Sequence, residues 1–227
     1  MTENEFVLEE FYKIITPNKV QLFESIAPER TRHFVLALEN IQQDHNASAI
    51  MRSMDCLGVQ ELHLIEKNTN YQFQRDIALG ASRWLDVHQH QDGDEPVLAA
   101  ISELKQKGYR IVATSPHARS QGLEKLDLEQ PIAFFFGAEK HGISEALKDN
   151  ADEFVHIPMY GFTESYNLSV SAALLMQHVR LRLEQSLSDW KLSDEAQLAL
   201  KIEWCKKILN GGAALDAKYR EVYQKEF

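Results

Sequence analysis

The spacing of hydrophobic residues along the chain changes near residue 30. Before this point, apolar residues recur at helical spacing over 5–15 and 20–26, and Thr16-Pro17-Asn18 separates the two segments. Beyond it, short continuous apolar runs alternate with amphipathic segments. Such runs are typical of strands buried on both faces, so the alternation predicts an α/β fold with a parallel, doubly wound sheet.

The same pattern predicts the individual elements and the domains. Strands are predicted at 34–38, 62–65, 110–114, 132–136 and 153–157, and a weaker one at 85–88. Helices are predicted at about 47–57, 95–107, 144–148, 167–185, 193–209 and 213–223. We expect Asn46 to cap the first of these helices and Gly58 to end it. One α/β domain over residues 30–187 is expected, with helical extensions over 1–29 and 188–227.

Composition narrows the class of protein. The chain is 44% hydrophobic and 26% charged, as is ordinary for globular proteins. Apolar runs fall short of the roughly 18 residues that suggest a membrane span, and the first residues lack the layout of a signal peptide. Cys56 and Cys205 lie far apart without a CxxC, which signals neither a disulfide framework nor a zinc cluster. A cytoplasmic enzyme or binding protein, with no membrane partner, is expected.

The net charge bears on nucleic-acid binding. The 24 basic and 34 acidic residues leave a formal charge of −10 at pH 7. Proteins that bind nucleic acid usually present a basic surface, because neutralising phosphates supplies much of their affinity. The total therefore argues against nonspecific binding and leaves open a local basic patch. Composition alone favours an enzyme that acts on small molecules.

Three loops that follow predicted strands contain most of the candidate chemistry, because ligands of open parallel sheets bind beyond the carboxyl ends of strands. The first is the segment 43–52, which follows the first strand and enters a helix. Its Asn46 and Arg52 lie about 240° apart around that helix, so they do not form a tight pair. A capping asparagine and a solvated arginine are the alternative interpretation there.

The other two loops differ in character. The segment 137–144 has two glycines but lacks the Lys-Ser/Thr pair of a phosphate-binding loop, so it is either a turn or a set of backbone donors at a helix start. The segment 157–167 is longer than the usual link of about 2–6 residues. It mixes apolar side chains with hydroxyls and an amide, which suits a nucleoside-like ligand.

Metal and hydrolase chemistry find little support in the sequence. It contains neither a GxSxG nor an HExxH motif, and its nine histidines are scattered. His88 and His90 lie on one side of a predicted strand but have no obvious third ligand. We expect no metal site.

Together the three loops resemble the motifs of SpoU-type (SPOUT-class) RNA 2′-O-ribose methyltransferases over about residues 30–185. The matching residues are Asn46-x-x-Ala49-x-x-Arg52, then Phe136-Gly137-Ala138-Glu139-x-x-Gly142-Ile143, then Ile157-Pro158-Met159 followed by Ser165-x-Asn167-x-Ser169-Val170. Their order and spacing match the family. The chain is most similar to TrmH-type tRNA guanosine methyltransferases, which also have short helical extensions at both ends.

This resemblance implies a fold, a cofactor and an activity. The implied fold is the SPOUT fold, whose C-terminal trefoil knot is a rare exception to unthreaded topology, in a homodimer with the active site at the interface. The implied cofactor is S-adenosylmethionine (SAM), and the implied activity is 2′-O-methylation of a ribose in RNA, most similar to that at guanosine 18 in the D-loop of tRNA. The alternatives are ribosomal RNA, another tRNA position, or a catalytically silent RNA-binding member; an unrelated nucleotide enzyme has only the α/β pattern to support it.

The resemblance also implies roles for particular residues. Those that would contact SAM, mostly through their backbone, are Thr114, Gly137, Ile157 and Tyr166, where Tyr166 replaces a common leucine. Arg52 would be the central catalytic residue with Asn46 supporting it, and Glu139, Ser165 and Asn167 would shape the reacting region. The family proposal makes this arginine a general base. Because arginine is very hard to deprotonate, we favour phosphate positioning and alkoxide stabilisation, and the base role stays open.

Four arginines are the candidates for RNA binding. Arg30 and Arg32 precede the first strand, and Arg180 and Arg182 lie on the predicted helix 167–185. We expect them to contact phosphates, with solvated surface arginines as the alternative.

Overall fold

The computed structural model describes residues 1–41, 43–66, 80–91, 95–115, 120–186 and 189–226. The chain divides into two compact units, one of Met1–Thr31 with Lys191–Phe227 and the other of Arg32–Trp190. The predicted domain boundary between residues 187 and 188 lies outside the described residues.

The described elements are as follows. The helices are α1 (Glu3–Tyr12), α2 (Pro17–Ile26), α3 (Asp44–Leu57), α4 (Pro96–Gln106), α5 (Glu145–Asn150), α6 (Leu168–Glu184), α7 (Asp194–Ile208) and α8 (Gly212–Glu226). The strands are β1 (Phe34–Glu39), β2 (Glu61–Ile65), β3 (Asp86–His90), β4 (Arg110–Thr114), β5 (Gln121–Gly122), β6 (Ile132–Phe136) and β7 (Glu153–His156).

The larger unit is an α/β fold built on a parallel sheet, which confirms the predicted fold class. Within the described residues the sheet has seven strands in the order β3-β2-β1-β6-β4-β7-β5. Its paired strands are parallel, with Leu36 of β1 next to both Leu62 of β2 and Phe134 of β6. Parallel strands place their carboxyl ends at one edge, so the end of β4 and the loops after β6 and β7 meet there.

The core of this unit lies on both faces of the sheet. Successive side chains of a strand point to opposite faces, so Phe34, Leu36 and Leu38 join one apolar cluster, which includes residues of α3 and α6. Val35 and Ala37 join a second cluster, which includes residues of α4 and α5. Burial on both faces explains why β1 and β6 are continuous apolar runs in the sequence.

The beginning of α3 differs from the prediction. The helix starts at Asp44, with Gln43 at the N-cap position and no side-chain cap bond, so the prediction that Asn46 caps it is wrong. An acidic residue in the first turn is favourable next to the helix dipole, which explains a start at Asp44. Asn46 instead lies inside the first turn, where its buried side chain bonds to residues distant in sequence. Gly58 ends the helix at a φ of 74°, as predicted.

The smaller unit consists of helices from both ends of the chain. Its helices pack through aromatic contacts, such as Phe11 with Tyr219 and Phe23 with Trp204, each with ring centroids 5.2 Å apart. The helix α2 begins at Pro17, directly after the side-chain cap from Thr16, which agrees with the predicted break. Among the described helices of both units, none is long and apolar enough to cross a membrane.

Glu66, directly after β2, should make stability depend on pH. It is 1% exposed, and burial together with the nearby charge of Asp44 raises the pKa of its carboxyl from 4.5 to about 7. The folded state then holds this proton more tightly than the unfolded chain does, so the Glu66 contribution to stability falls as pH rises from about 4.5 to about 7.

We expect Glu66→Gln to remove this dependence. Relative to wild type, the free energy of unfolding of the variant should rise by on the order of 1–2 kcal/mol between pH 4.5 and pH 8. Urea unfolding at both pH values measures the effect, and Glu129→Gln, at an exposed position, is the matched control. A difference between Glu66→Gln and wild type that does not change with pH would contradict the expectation.

Candidate active site

The carboxyl end of β4 and the loops after β6 and β7 line a cavity of about 680 Å³ at the carboxyl edge of the sheet. This volume lies within the roughly 300–1,000 Å³ typical of small-molecule sites. Its walls combine backbone at strand ends with apolar side chains such as Leu123 and Ile157 and with polar ones such as Ser165. The cavity therefore suits a ligand with both apolar and polar parts.

The loop after β6 is a tight turn that forms one wall. Gly142 has a φ of 65°, and its amide donates to the Ala138 carbonyl at 2.8 Å. A Cβ placed on Gly137 would lie 2.3 Å from the carbonyl carbon and oxygen of Gly142. Only glycine therefore allows the two ends of this turn to approach so closely.

A buried carboxylate fixes the far end of this loop. Glu39, the last residue of β1, is 2% exposed. Its Oε2 accepts a hydrogen bond from the Ser144 amide at 3.1 Å, and the Ser144 hydroxyl caps α5 by accepting from the Leu147 amide. The loop is thus held between β6 and the start of α5.

The loop after β7 ends in a well-defined helix cap. The side-chain oxygen of Asn167 accepts from the Ser169 amide at 2.9 Å and from the Ser169 hydroxyl at 2.6 Å. Just before it, the Tyr166 hydroxyl donates to the Pro158 carbonyl at 3.4 Å. The cap and this contact orient the polar residues 164–167 along the cavity.

Hydrogen bonds join the start of α3 to the loops after β6 and β7. The Asn46 side-chain amide donates to Glu139 Oε1 at 2.8 Å, and its oxygen accepts from the Asn167 amide group at 3.3 Å. Asn46 is 2% exposed, whereas Glu139 and Asn167 are exposed, so both bonds are partly buried. One buried asparagine of α3 therefore connects polar residues of the loops after β6 and β7.

Comparison with known proteins identifies the family. The sequence model of the SpoU rRNA Methylase family matches residues 33–177, which include all three sequence motifs and the sheet strands β1 to β7.

The chain belongs to the SpoU methylase family. A relative from Borreliella burgdorferi, named tRNA (guanosine(18)-2′-O)-methyltransferase, is 36% identical over 197 residues, covering 87% of this chain and 88% of its own. These similarities confirm the resemblance seen in the three motifs.

Crystal structures of family members share the fold. The A. aeolicus TrmH/SpoU tRNA modifying enzyme aligns with a TM-score of 0.75 at 23% identity, over 85% of this chain and 98% of its own. An AdoMet-bound rRNA methyltransferase from Sinorhizobium meliloti aligns with a TM-score of 0.60 at 21% identity, over 68% of this chain and 58% of its own.

The structure brings most of the candidate residues of this SpoU chain together. The residues that line the cavity are Thr114, Gly137, Glu139, Ile157, Ser165, Tyr166 and Asn167. Asn46 lies one hydrogen bond behind them. Arg52 is absent from the cavity wall and is exposed on α3, nearly two turns beyond Asn46.

Each of the four arginines proposed for RNA binding contacts other groups of the protein. Arg30 is 3% exposed and its guanidinium lies 5.5 Å from the Trp204 ring centroid. Arg32 pairs with Asp86 at 2.7 Å.

The two arginines of α6 also contact protein groups. Arg180 lies over the Trp190 ring at 4.4 Å and pairs with Glu184. Arg182 donates to the Leu123 carbonyl at 2.6 Å and to the Leu126 carbonyl at 2.7 Å. Because Leu123 lines the cavity, Arg182 supports a wall of the site.

Sequence reasoning misses some of the cavity wall. The residues concerned include Ser115, Leu123, His156 and Leu175. Ser115 and His156 adjoin residues at predicted strand ends, and Leu175 lies two turns into α6 on the side of Leu168, so position alone is a usable signal for these. Leu123 lies in a stretch with no hydrophobic period and offers no such signal.

Removing the Asn46 side chain should destabilise the protein. Asn46→Ala deletes three partly buried hydrogen bonds, to Gln43, Glu139 and Asn167, so we expect the free energy of unfolding to fall by about 1–3 kcal/mol. Ser53→Ala on the same helix is the matched control, because it deletes only a local bond to the Ala49 carbonyl and should change stability by less than about 0.5 kcal/mol. Urea unfolding of both variants measures this, and equal stabilities would contradict the role of the Asn46 contacts.

Proposed function

We propose that this protein transfers a methyl group from SAM to the 2′-hydroxyl of guanosine 18 in the D-loop of tRNA. The observation that most supports this is the convergence of three SpoU motifs on one cavity. The naming of the Borreliella burgdorferi relative supports the nucleotide and the RNA class. The alternative within the family is ribosomal RNA, because the family description and the S. meliloti protein both refer to rRNA.

The cavity fits SAM in size and chemistry. Its apolar wall at Leu123 and Ile157 suits an adenine ring, and the strand-end backbone at Thr114 and Gly137 suits polar groups of adenosine and methionine. Tyr166, with 41% of its surface exposed, lies at the open side. We propose that Thr114, Gly137, Ile157 and Tyr166 bind the cofactor, and the AdoMet-bound S. meliloti structure supports this choice of cofactor.

Bound SAM would supply an electrophilic methyl group to a ribose hydroxyl, which is a weak acid. The chain must therefore align that hydroxyl, assist loss of its proton and screen the adjacent phosphate. Glu139, Ser165 and Asn167 line the reacting region, and Asn46 fixes the first and third of them by hydrogen bonds. Arg52 would hold the phosphate and stabilise the forming alkoxide, because a planar guanidinium donates several hydrogen bonds to oxygen anions.

We propose that the active site is completed in a homodimer. Arg52 is exposed and does not line the cavity of its own chain, while the neighbouring α6 exposes Val170, Leu174 and Leu181. The exposed Phe162 extends this apolar surface into the loop after β7. Surfaces of this kind mark protein interfaces.

Leu174→Glu should shift the chain from dimer to monomer in sedimentation analysis, because it places a charge in this apolar surface. An unchanged dimer would show that this face of α6 is not the dimer interface.

The remaining structural proposals follow from the family. We propose that residues 30–187 form the SPOUT methyltransferase domain with a C-terminal trefoil knot, and that 1–29 and 188–227 are helical extensions. We also propose a cytoplasmic enzyme.

The RNA-binding role of Arg30, Arg32, Arg180 and Arg182 is a separate proposal. Arg32 is the best placed of the four, with 33% of its side chain exposed. If Arg32 contacts a phosphate, Arg32→Ala should reduce the slope of log tRNA affinity against log salt concentration by about 1. An unchanged slope would show that Arg32 is not part of the RNA interface.

A comparison of two candidate RNA substrates tests the proposed function. Labelled SAM is incubated with the enzyme and either an unmodified tRNA transcript or protein-free ribosomal RNA, and 2′-O-methylation is mapped by nuclease-resistant dinucleotides. We expect transfer to a D-loop guanosine of tRNA. Transfer to ribosomal RNA alone would move the substrate, and SAM binding without transfer to either RNA would indicate a silent RNA-binding member.

A further inference from the structure

A second polar cluster lies at the side of the sheet, on the edge strand β3 and its neighbour β2. The register pairs Glu61 with Asp86 and His63 with His88. Alternate residues of a strand share a face, so Glu61, His63, His88 and His90 all lie on one side of the sheet. The sequence around His88 and His90 contains no obvious further ligand, and the neighbouring strand β2 supplies Glu61 and His63.

Three side chains of this cluster have the geometry of a metal site. His63 Nε2 lies 2.9 Å and His88 Nε2 3.5 Å from Glu61 Oε1, and the three candidate ligand atoms lie within 4.8 Å of one another. Ligands about 2.0–2.1 Å from a tetrahedral zinc lie about 3.3 Å apart. Small side-chain rotations would therefore bring all three onto one ion.

The surroundings orient His63 as a metal ligand requires. Its other ring nitrogen, Nδ1, is 2.9 Å from His90 Nε2, and His90 Nδ1 in turn lies 3.9 Å from a Glu103 carboxylate oxygen. Histidines that bind metals are usually held through the second nitrogen in this manner. His63 is fully buried, so its ring is fixed by packing as well.

Two basic side chains near the cluster leave the Glu61 carboxylate available as a metal ligand. Lys107 lies 3.4 Å and Arg32 3.7 Å from the Glu61 carboxylate. Each has a shorter ion pair elsewhere, Lys107 with Glu103 at 2.8 Å and Arg32 with Asp86 at 2.7 Å. A bound divalent ion would thus replace only the longer contacts of these two side chains.

We propose that Glu61, His63 and His88 bind one Zn²⁺ ion that joins the edge strand β3 to β2. Two imidazoles and one carboxylate are a donor set typical of zinc, whereas Mg²⁺ and Ca²⁺ prefer oxygen alone. The His88 side chain is 40% exposed, which gives the ion a path from solvent and leaves a fourth position for water. The site does not depend on the proposed methyl transfer.

Metal titration tests this proposal. The full-length protein is stripped with a chelator and then titrated with Zn²⁺ by calorimetry, with the bound metal counted by mass spectrometry. We expect one ion per chain, and a rise in Tm of roughly 5 °C or more at 100-fold excess over the Kd. Co²⁺ in place of zinc should give the intense visible absorption of a tetrahedral site.

Variants on one strand separate this site from adventitious binding. His88→Gln should weaken zinc affinity by more than about 100-fold, and His90→Ala, which removes the contacts of His90 to His63 and Glu103, by about 10–100-fold. Gln89→Ala is the control, because Gln89 is exposed between the two histidines. Absence of stoichiometric binding, or equal affinity in His88→Gln and Gln89→Ala, would overturn the proposal.

Discussion

Replacing Arg52 with alanine is expected to lower the rate of methyl transfer at saturating substrates by at least about 100-fold, with SAM affinity unchanged. Arg52 is exposed on α3 and, within the part of the chain that the structure describes, makes no hydrogen bond or ion pair. Its removal therefore costs the fold little. The loss should fall on the transition state, where the guanidinium would face the phosphate and the developing alkoxide.

Two further variants define the role of Arg52. Arg52→Lys should also be slow, because an ammonium lacks the planar fork that binds phosphate through two bonds. Cys56→Ala, also exposed and one turn further along the same helix, should keep the wild-type rate. Single-turnover rates and SAM affinity by calorimetry measure both quantities. A rate for Arg52→Ala within about threefold of wild type would exclude a catalytic role.

Gly137→Ala is expected to weaken SAM binding by at least about 100-fold, which corresponds to about 2.7 kcal/mol. The added Cβ would lie 2.3 Å from the Gly142 carbonyl group and 2.4 Å from the Ile143 amide nitrogen. These are backbone atoms within a tight turn, so the loop must open to accept a methyl group. Opening it displaces a wall of the cavity.

Gly161→Ala is the matched control for this substitution. Gly161 lies in the loop after β7, and a Cβ there would have no atom within 4 Å. Calorimetric SAM titration and circular dichroism of both variants distinguish loss of the site from loss of the fold. Equal SAM affinity in the two alanine variants would show that the close approach at Gly137 is not needed for the cofactor.

Much of this fold is predictable from the sequence, for identifiable reasons. The central strands β1 and β6 are buried on both faces and therefore consist of uninterrupted apolar residues. The edge strand β3 is only partly buried, so its polar sequence gave a weaker signal. The strand β5, with two residues, is too short to show any period and was not predicted.

The candidate site was predictable in its membership but not in its contacts. Order and spacing of the motifs selected residues such as Gly137 and Asn167 that line the cavity. No local signal connects Asn46 to Glu139, since 93 positions separate them and the contact depends on strand order. For the same reason the sequence gives no sign of the ion pair between Arg32 and Asp86, which the strand order β3-β2-β1 brings together.

The most direct test of the proposed activity compares two tRNA molecules that differ in one oxygen atom. One has a ribose at guanosine 18 and the other a 2′-deoxyribose, and transfer of labelled methyl from SAM is measured for each. We expect about one methyl group per ribose-containing tRNA and none on the deoxy form. Equal labelling of both molecules would contradict 2′-O-methylation at this nucleotide.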